Sequence, residues 1–194
     1  FLEWIIRSLK YGGTANIVLP DGIFSNLGNT NLKAFLLKNC FIESIISLPI
    51  NSFFNTPKKT YILTLKKKSK EDIDCSKKQD YKIFAYICKS IGETLDVYRF
   101  DTIDDNDLRE AVNKYNSYKN LTDKNNINEP FKTWFKSDGK LKMLPIDNFL
   151  ASENWIIDNF WSDEEKINLG FKQADNTMTL KDFQDFLDVL VDDM

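Results

Sequence analysis

Two adjacent aromatics, Phe53 and Phe54, stand before Pro57 and the lysine pair Lys58–Lys59 in the stretch ISLPINSFFNTPKKTYILTLKKK, residues 46–68. Rings in a bend beside cations suit one kind of chemistry. An aromatic face stacks on an unpaired nucleic-acid base, an interaction worth about 1–3 kcal/mol per base. Ammonium groups hold backbone phosphates without reading sequence. The same residues also fit a β-hairpin that buries a Phe pair and carries a charged edge. Lys66, Lys67 and Lys68 read as the solvated end of a strand.

Other chemistry is thinly represented. The chain has no histidine, which removes the commonest general base and the commonest metal ligand. The cysteines Cys40, Cys75 and Cys88 match no zinc spacing, so no metal site is expected. Free thiols suggest a reducing, cytoplasmic setting, and Cys40 and Cys88 lie in apolar stretches that read as core. The many carboxylates sit on polar helix faces. There is no Walker pattern and no GxGxxG; the Gly12–Gly13 pair is better explained as a helix stop.

Net charge is −3 over 194 residues, but it is unevenly spread. Residues 1–70 carry ten Lys or Arg against three Asp or Glu, and the rest carry sixteen against twenty-six. A basic first part fits a polyanionic partner; a fluctuation among solvated residues gives the same numbers. At 42% hydrophobic residues the chain can bury a sizeable core. No long uncharged apolar run predicts a membrane span, and no leader pattern is visible. The sequence opens on Phe1 in mid-pattern, which predicts a piece of a longer protein.

The elements that would position the aromatic bend follow from periodicity. Leu2, Ile5, Ile6 and Leu9 have helical spacing. TANIVLP reads as a buried strand, PDGIFSNLGNTN as a loop, and TNLKAFLLKNC as a helix capped by Asn29 or Thr30. FIESIISLP and TYILTLKKK flank the bend as strands. Helix, strand, helix, strand, strand is the order of half a doubly wound α/β sheet. The first two strands are expected to be parallel neighbours and the last two an antiparallel hairpin.

YKIFAYICKSIG reads as a further strand at the sheet edge. DDNDLREAVNKYNSY reads as a helix whose apolar face carries Leu108, Ala111, Val112 and Tyr115. Beyond a polar linker, FKTWFKSDGKLKML predicts a small hairpin. Trp134, Phe135, Trp155, Phe160 and Trp161 read as satellite core. TLKDFQDFLDVLVDDM reads as an acidic amphipathic helix.

The ordered series FLEWIIRSLKYGGTANIVLPDGIFSN, a helix, FIESIISLPINSFFNTPKKTYILTLKKK and YKIFAYICKSIG, residues 1 to 92, resembles the C-terminal half of an N6-adenine DNA methyltransferase domain. It is most similar to modification subunits of type I restriction systems and to fused restriction-modification enzymes. The resemblance implies an α/β fold: half of a Rossmann-like sheet, with parallel strands plus an antiparallel hairpin, over residues 1–100. A mostly helical extension, residues 101–194, would lead toward a target-recognition or partner region.

The resemblance implies S-adenosylmethionine as methyl donor and double-stranded DNA as substrate, with a specificity subunit or fused target-recognition domain as a further partner. The glycine-rich cofactor motif and the Asn-Pro-Pro-aromatic catalytic motif of that family do not occur in these residues, so no catalytic or cofactor residue is assigned and the piece alone is expected to be inactive. The family's loop after the SLP strand supplies an aromatic that stacks on the flipped base. Phe54 is the first choice for that role, with Phe53 anchoring the loop in the core and Lys58 and Lys59 on phosphates. Both rings as plain core remains the alternative. Pro20, Asp21 and Gly22 end a strand where α/β proteins bind ligands. They read either as part of the target-base pocket or as a tight turn. The competing function is a non-catalytic assembly module that uses the acidic C-terminal helix.

Overall fold

The computed structural model describes residues 1–54, 56–121 and 139–172. They fall into two compact units, Phe1–Trp161 and Ser162–Met194.

The first unit is a five-stranded sheet. Its strands are β1 (Thr14–Pro20), β2 (Cys40–Ser47), β3 (Thr60–Lys67), β4 (Ile83–Ile87) and β5 (Leu141–Leu144), in the order β1-β3-β2-β4-β5. β2 and β4 are parallel; β3 is antiparallel to both β1 and β2, and β5 to β4. The expected β2–β3 hairpin forms. The expected contact between β1 and β2 does not. They run the same way, but β3 lies between them. The reason is visible in β3 itself. Tyr61, Leu63 and Leu65 on one side of the strand are fully buried, and Thr60 and Thr64 on the other are nearly so. A strand apolar enough to be covered on both faces takes a central place.

β1 was expected to be buried and is instead an outer strand. Ile17 and Leu19 point inward while Asn16, Val18 and Pro20 are exposed. β4, expected at the edge, is interior: all five of its residues are buried, with β5 on its outer side. The partner strand expected for residues 141–144 lies outside the described residues, as do Trp134, Phe135, most of the polar linker and the acidic helix of residues 179–194.

Helices α1 (Leu2–Ser8) and α3 (Thr30–Asn39) pack on each other. They bury Leu2, Ile6 and Leu36. Each such side chain contributes about 1.5–3 kcal/mol. Lys67 Nζ donates to the Arg7 and Leu9 carbonyls at the end of α1. Gly12, at φ 74°, turns the chain so that its N–H reaches the Lys67 carbonyl. The glycine pair therefore serves the turn into β1.

Residues expected to be a loop after β1 form a short helix, α2 (Asp21–Ser25), then a 3-10 turn, Leu27–Asn29. Pro20 sets the entry angle, Asp21 places an acid in the first turn, and Phe24 is fully buried against the Tyr61 ring at 4.8 Å. A further short helix, α4 (Lys70–Asp74), follows β3.

The opposite sheet face is covered by α5 (Asp107–Lys119), where Ala111 and Tyr118 join Ile46, Leu48, Phe84, Tyr86, Cys88 and Leu141. The helix is rotated from the expected face: Asp107, Ala111, Lys114 and Tyr118 are buried, and Val112 is exposed. Hydrogen bonds set the rotation. Tyr118 Oη donates to the Lys82 carbonyl, and the Asp107 carboxylate accepts from the Lys89 and Ser90 N–H groups. The late aromatics Trp155 and Trp161 are buried as expected, and Phe160 is half-buried. In the second unit, α6 (Asp163–Asn168) starts on a capping box between Ser162 and Glu165.

Candidate functional site

β1, β2 and β4 share one direction, so Pro20, Ser47 and Ile87 end at one edge of the sheet. This is the edge at which open α/β sheets place ligands. Three segments crowd it: α2, the β2–β3 loop (48–59), and the long β4–α5 loop (88–106).

The β2–β3 loop is rooted by Leu48 and Ser52, both buried. Leu48 N–H donates to the Thr60 carbonyl, and Ser52 Oγ donates to the Pro49 carbonyl. Above this root the chain reverses through Asn51, which has a φ of 65°, and through a Thr56 N–H to Phe53 O bond of 3.1 Å. That turn lifts both rings away from the sheet. Phe54 is 60% exposed and Phe53 43%. The expectation that Phe53 anchors the loop in the core is therefore corrected: the turn closes beneath it, and Leu48 and Ser52 anchor the loop instead.

The β4–α5 loop folds back beside the rings. Residues 92–102 form a narrow ribbon, with Thr94 N–H donating to Phe100 O and Thr102 N–H to Gly92 O, both at 2.8 Å. Its tip faces the aromatic bend. Together they enclose a pocket of about 410 Å³ lined by Phe53, Phe54, Pro57, Leu95, Val97 and Arg99, among others. Tyr98 and Phe100, both exposed, stack on each other at 6.0 Å. Sequence reading did not single out this loop. Its signal was the apolar cluster Val97, Tyr98, Phe100 and Ile103 among acidic residues, all of them exposed.

The lysine pair divides. Lys58 is exposed and makes no ion pair among the described residues. Lys59 Nζ lies 3.1 Å from an Asp158 carboxylate oxygen and 5.7 Å from the Tyr61 ring centre. Asp158 also accepts from Ser47 Oγ at 3.0 Å and from Tyr61 Oη at 2.9 Å. Burial, then the Asp158 charge, pushes the Tyr61 hydroxyl far above its ordinary range, so it remains a donor. Asp158 was also missed in the sequence, because its aromatic neighbours Trp155, Phe160 and Trp161 marked the segment only as core.

Pro20–Asp21–Gly22 meets this cluster through the backbone, the Asp21 N–H donating to the Lys59 carbonyl at 3.0 Å. The Asp21 carboxylate accepts from Gly22 N–H at 2.8 Å, and Gly22 O accepts from Asn29 Nδ2 at 2.9 Å. These three residues do not line the pocket that holds Phe54. A second pocket, about 310 Å³, lies at the other end of β2, beside Cys40 and Lys68. Burial pushes the Cys40 thiol up to about 12. Among the described residues no group of His, Cys, Asp and Glu side chains is placed to hold a metal.

Comparison with known proteins adds three findings. The profile of the N-6 DNA methylase family matches residues 1–133. The chain is 33% identical over 64 residues to the type I restriction enzyme EcoKI methylase subunit of Escherichia coli (strain K12), and equally so to the StySJI methylase subunit of Salmonella typhimurium. The matched stretch is 32% of this chain and 12% of each relative. The fold is similar to that of a chain from a structure concerned with complex assembly and conformational transition of the type I R-M system. That similarity has a TM-score of 0.52 at 12% identity, covering 98% of this chain and 38% of the other.

Proposed function

The chain belongs to the N-6 DNA methylase family, and from that premise we propose that it is the distal half of the catalytic domain of a site-specific adenine-N6 DNA methyltransferase from a restriction-modification system. Its contribution is the target-base side of the active site. One observation carries this reading: Phe54 stands 60% exposed at the ligand-binding edge of the sheet and forms a wall of an open pocket. A base inside a duplex must swing out to react, which costs a few kcal/mol. Stacking on an exposed ring returns about 1–3 kcal/mol of that.

In this reading Phe54 stacks on the everted adenine, Phe53 extends the same surface, and exposed Lys58 holds a phosphate of double-stranded DNA. Lys59 would have to exchange Asp158 for a phosphate, so it ranks last. Pro20, Asp21 and Gly22 support the lysine end of the loop, and through it the base pocket. A specificity subunit or a fused recognition domain would select the sequence, and the setting is the cytoplasm. Among the described residues no helix is long and apolar enough to cross a membrane.

The family implies S-adenosylmethionine, which when bound supplies the methyl group. The described residues do not fit it. The strand-to-helix junction at Pro20–Gly22 is closed on itself by the Asp21 carboxylate, and no glycine-rich turn adjoins it. No step is routed through the cofactor here, and this chain alone is expected to be inactive. The competing assembly module rests on residues 179–194, outside the described residues, and family membership favours the methylase.

The test is Phe54→Ala in the complete methylase. Adenine methylation should fall by roughly one to two powers of ten, matching the lost stacking, with S-adenosylmethionine affinity unchanged. Equal losses of both would make Phe54 a folding residue and end this reading.

A further inference from the structure

We propose that Arg99 is a positioning residue for the aromatic bend, and that the 95–99 turn it secures forms the second wall of the base pocket. This rests on the reading of Phe54 as a stacking surface.

Arg99 sits at the tip of an exposed ribbon, yet its side chain is only 15% exposed. The guanidinium bridges two loops. Nη1 donates to Glu93 Oε1 at 3.3 Å and to the Thr94 carbonyl at 3.4 Å, both within its own ribbon. Nη2 crosses to the Asn51 carbonyl in the aromatic bend. Both ends of that crossing are unusual. Arg99 has a φ of 53° and Asn51 a φ of 65°, two of the three non-glycine residues in the left-handed region among the described residues. Such conformations persist where surrounding contacts hold them, and they cluster at ligand clamps. The Asp96 carboxylate holds the arginine end, accepting from the Tyr98 and Arg99 N–H groups at 2.7 and 3.2 Å.

Arg99 is thus occupied by Glu93 and two carbonyls, and it is not a phosphate ligand. Its effect is geometric. It fixes the distance between Phe53 and Phe54 on one side and Leu95 and Val97 on the other. An aromatic wall facing an aliphatic wall takes a flat, unpaired ring, with specificity for planar shape. The planar fork of arginine reaches both loops at once, whereas a lysine ammonium offers one point charge.

The probe is a duplex carrying 2-aminopurine opposite an abasic site, so that no recognition sequence is needed. Its fluorescence is quenched when the everted base stacks on a ring. In the complete methylase, Arg99→Ala should weaken probe binding at least five-fold and lose most of the quench well below the melting temperature. Arg99→Lys should recover only part of it. Trypsin should cut after Lys58 several-fold faster in the alanine variant, because the bend is no longer held. Should Arg99→Ala fail to fold, Val97→Asp decides, since Val97 is 72% exposed. That variant should also bind at least five-fold more weakly. If either variant keeps the quench while Phe54→Ala abolishes it, the second wall is wrong and the stacking role of Phe54 stands. If Phe54→Ala keeps the quench as well, the stacking reading itself fails.

Discussion

Lys59 Nζ and Ser47 Oγ meet on the same oxygen of Asp158, at 3.1 and 3.0 Å, while Tyr61 Oη takes the other at 2.9 Å. One carboxylate from late in the chain therefore ties the ends of β2 and β3 together at the edge where the aromatic bend begins. Asp158→Asn should leave these donors poorly matched and destabilise the first unit by about 2 kcal/mol, read as a lower denaturant midpoint. It should also release Lys59. In the complete methylase, DNA binding should then show a salt dependence steeper by about one phosphate contact. An unchanged midpoint would mean that the cluster does not hold this edge.

Lys58 has no carboxylate of its own. Lys58→Ala should weaken DNA binding about equally for all sequences and lower the slope of log affinity against log salt by about 0.9. The unit's stability should not move. A slope that stays the same removes Lys58 from the DNA surface.

Gly92 begins the ribbon that carries Arg99. Its φ is 87°, and a Cβ there would lie 2.4 Å from Asn106 Nδ2. The Asn106 side chain caps α5 by accepting from Arg109 N–H at 2.8 Å, so it cannot swing away without loss. Gly92→Ala should cost about 2 kcal/mol, from left-handed strain and a weakened cap together. Thermal melting checks this. A loss below about 0.5 kcal/mol would show that the ribbon root bends freely.

The three thiols should separate by reactivity. Cys75 is exposed, whereas Cys40 and Cys88 are buried, and burial holds Cys40 near 12. At pH 8 Cys40 is a protonated thiol, and the thiolate is the nucleophile. Alkylation of the native chain should label Cys75 alone at short times, with Cys40 and Cys88 following only on unfolding. Early labelling of Cys40, read by peptide mass, would contradict its placement.

Much of the architecture was legible because it is local. The period of Leu2 and Ile6, the apolar runs at 40–47 and 60–67, and the bend between them follow from nearest-neighbour chemistry. Position within the sheet did not. Alternation says that a segment is a strand, and says little about which edge it pairs on, so β3 between β1 and β2 was unforeseen and β4 was set at the wrong place in the order. The α5 rotation escaped for a different reason. Its buried face includes Asp107 and Lys114, which are covered because specific partners satisfy them. Apolar periodicity cannot register such partners, and Asp158 was hidden in the same way. Phe54 was recognisable as an exposed ring. Arg99 was not, because its role arises only where two distant loops meet.

The insertion of β3 also dictates a timetable for assembly. During synthesis residues 14–20 leave the ribosome well before residues 60–67, the strand they must pair with. At about 5–20 residues per second, the nascent NIVL segment waits on the order of seconds without a partner. The later two strands can zip together first by themselves, and the earliest strand then docks onto the finished hairpin. The oldest part of the sheet in sequence is thus the youngest in time, and it is the segment a holdase chaperone would meet.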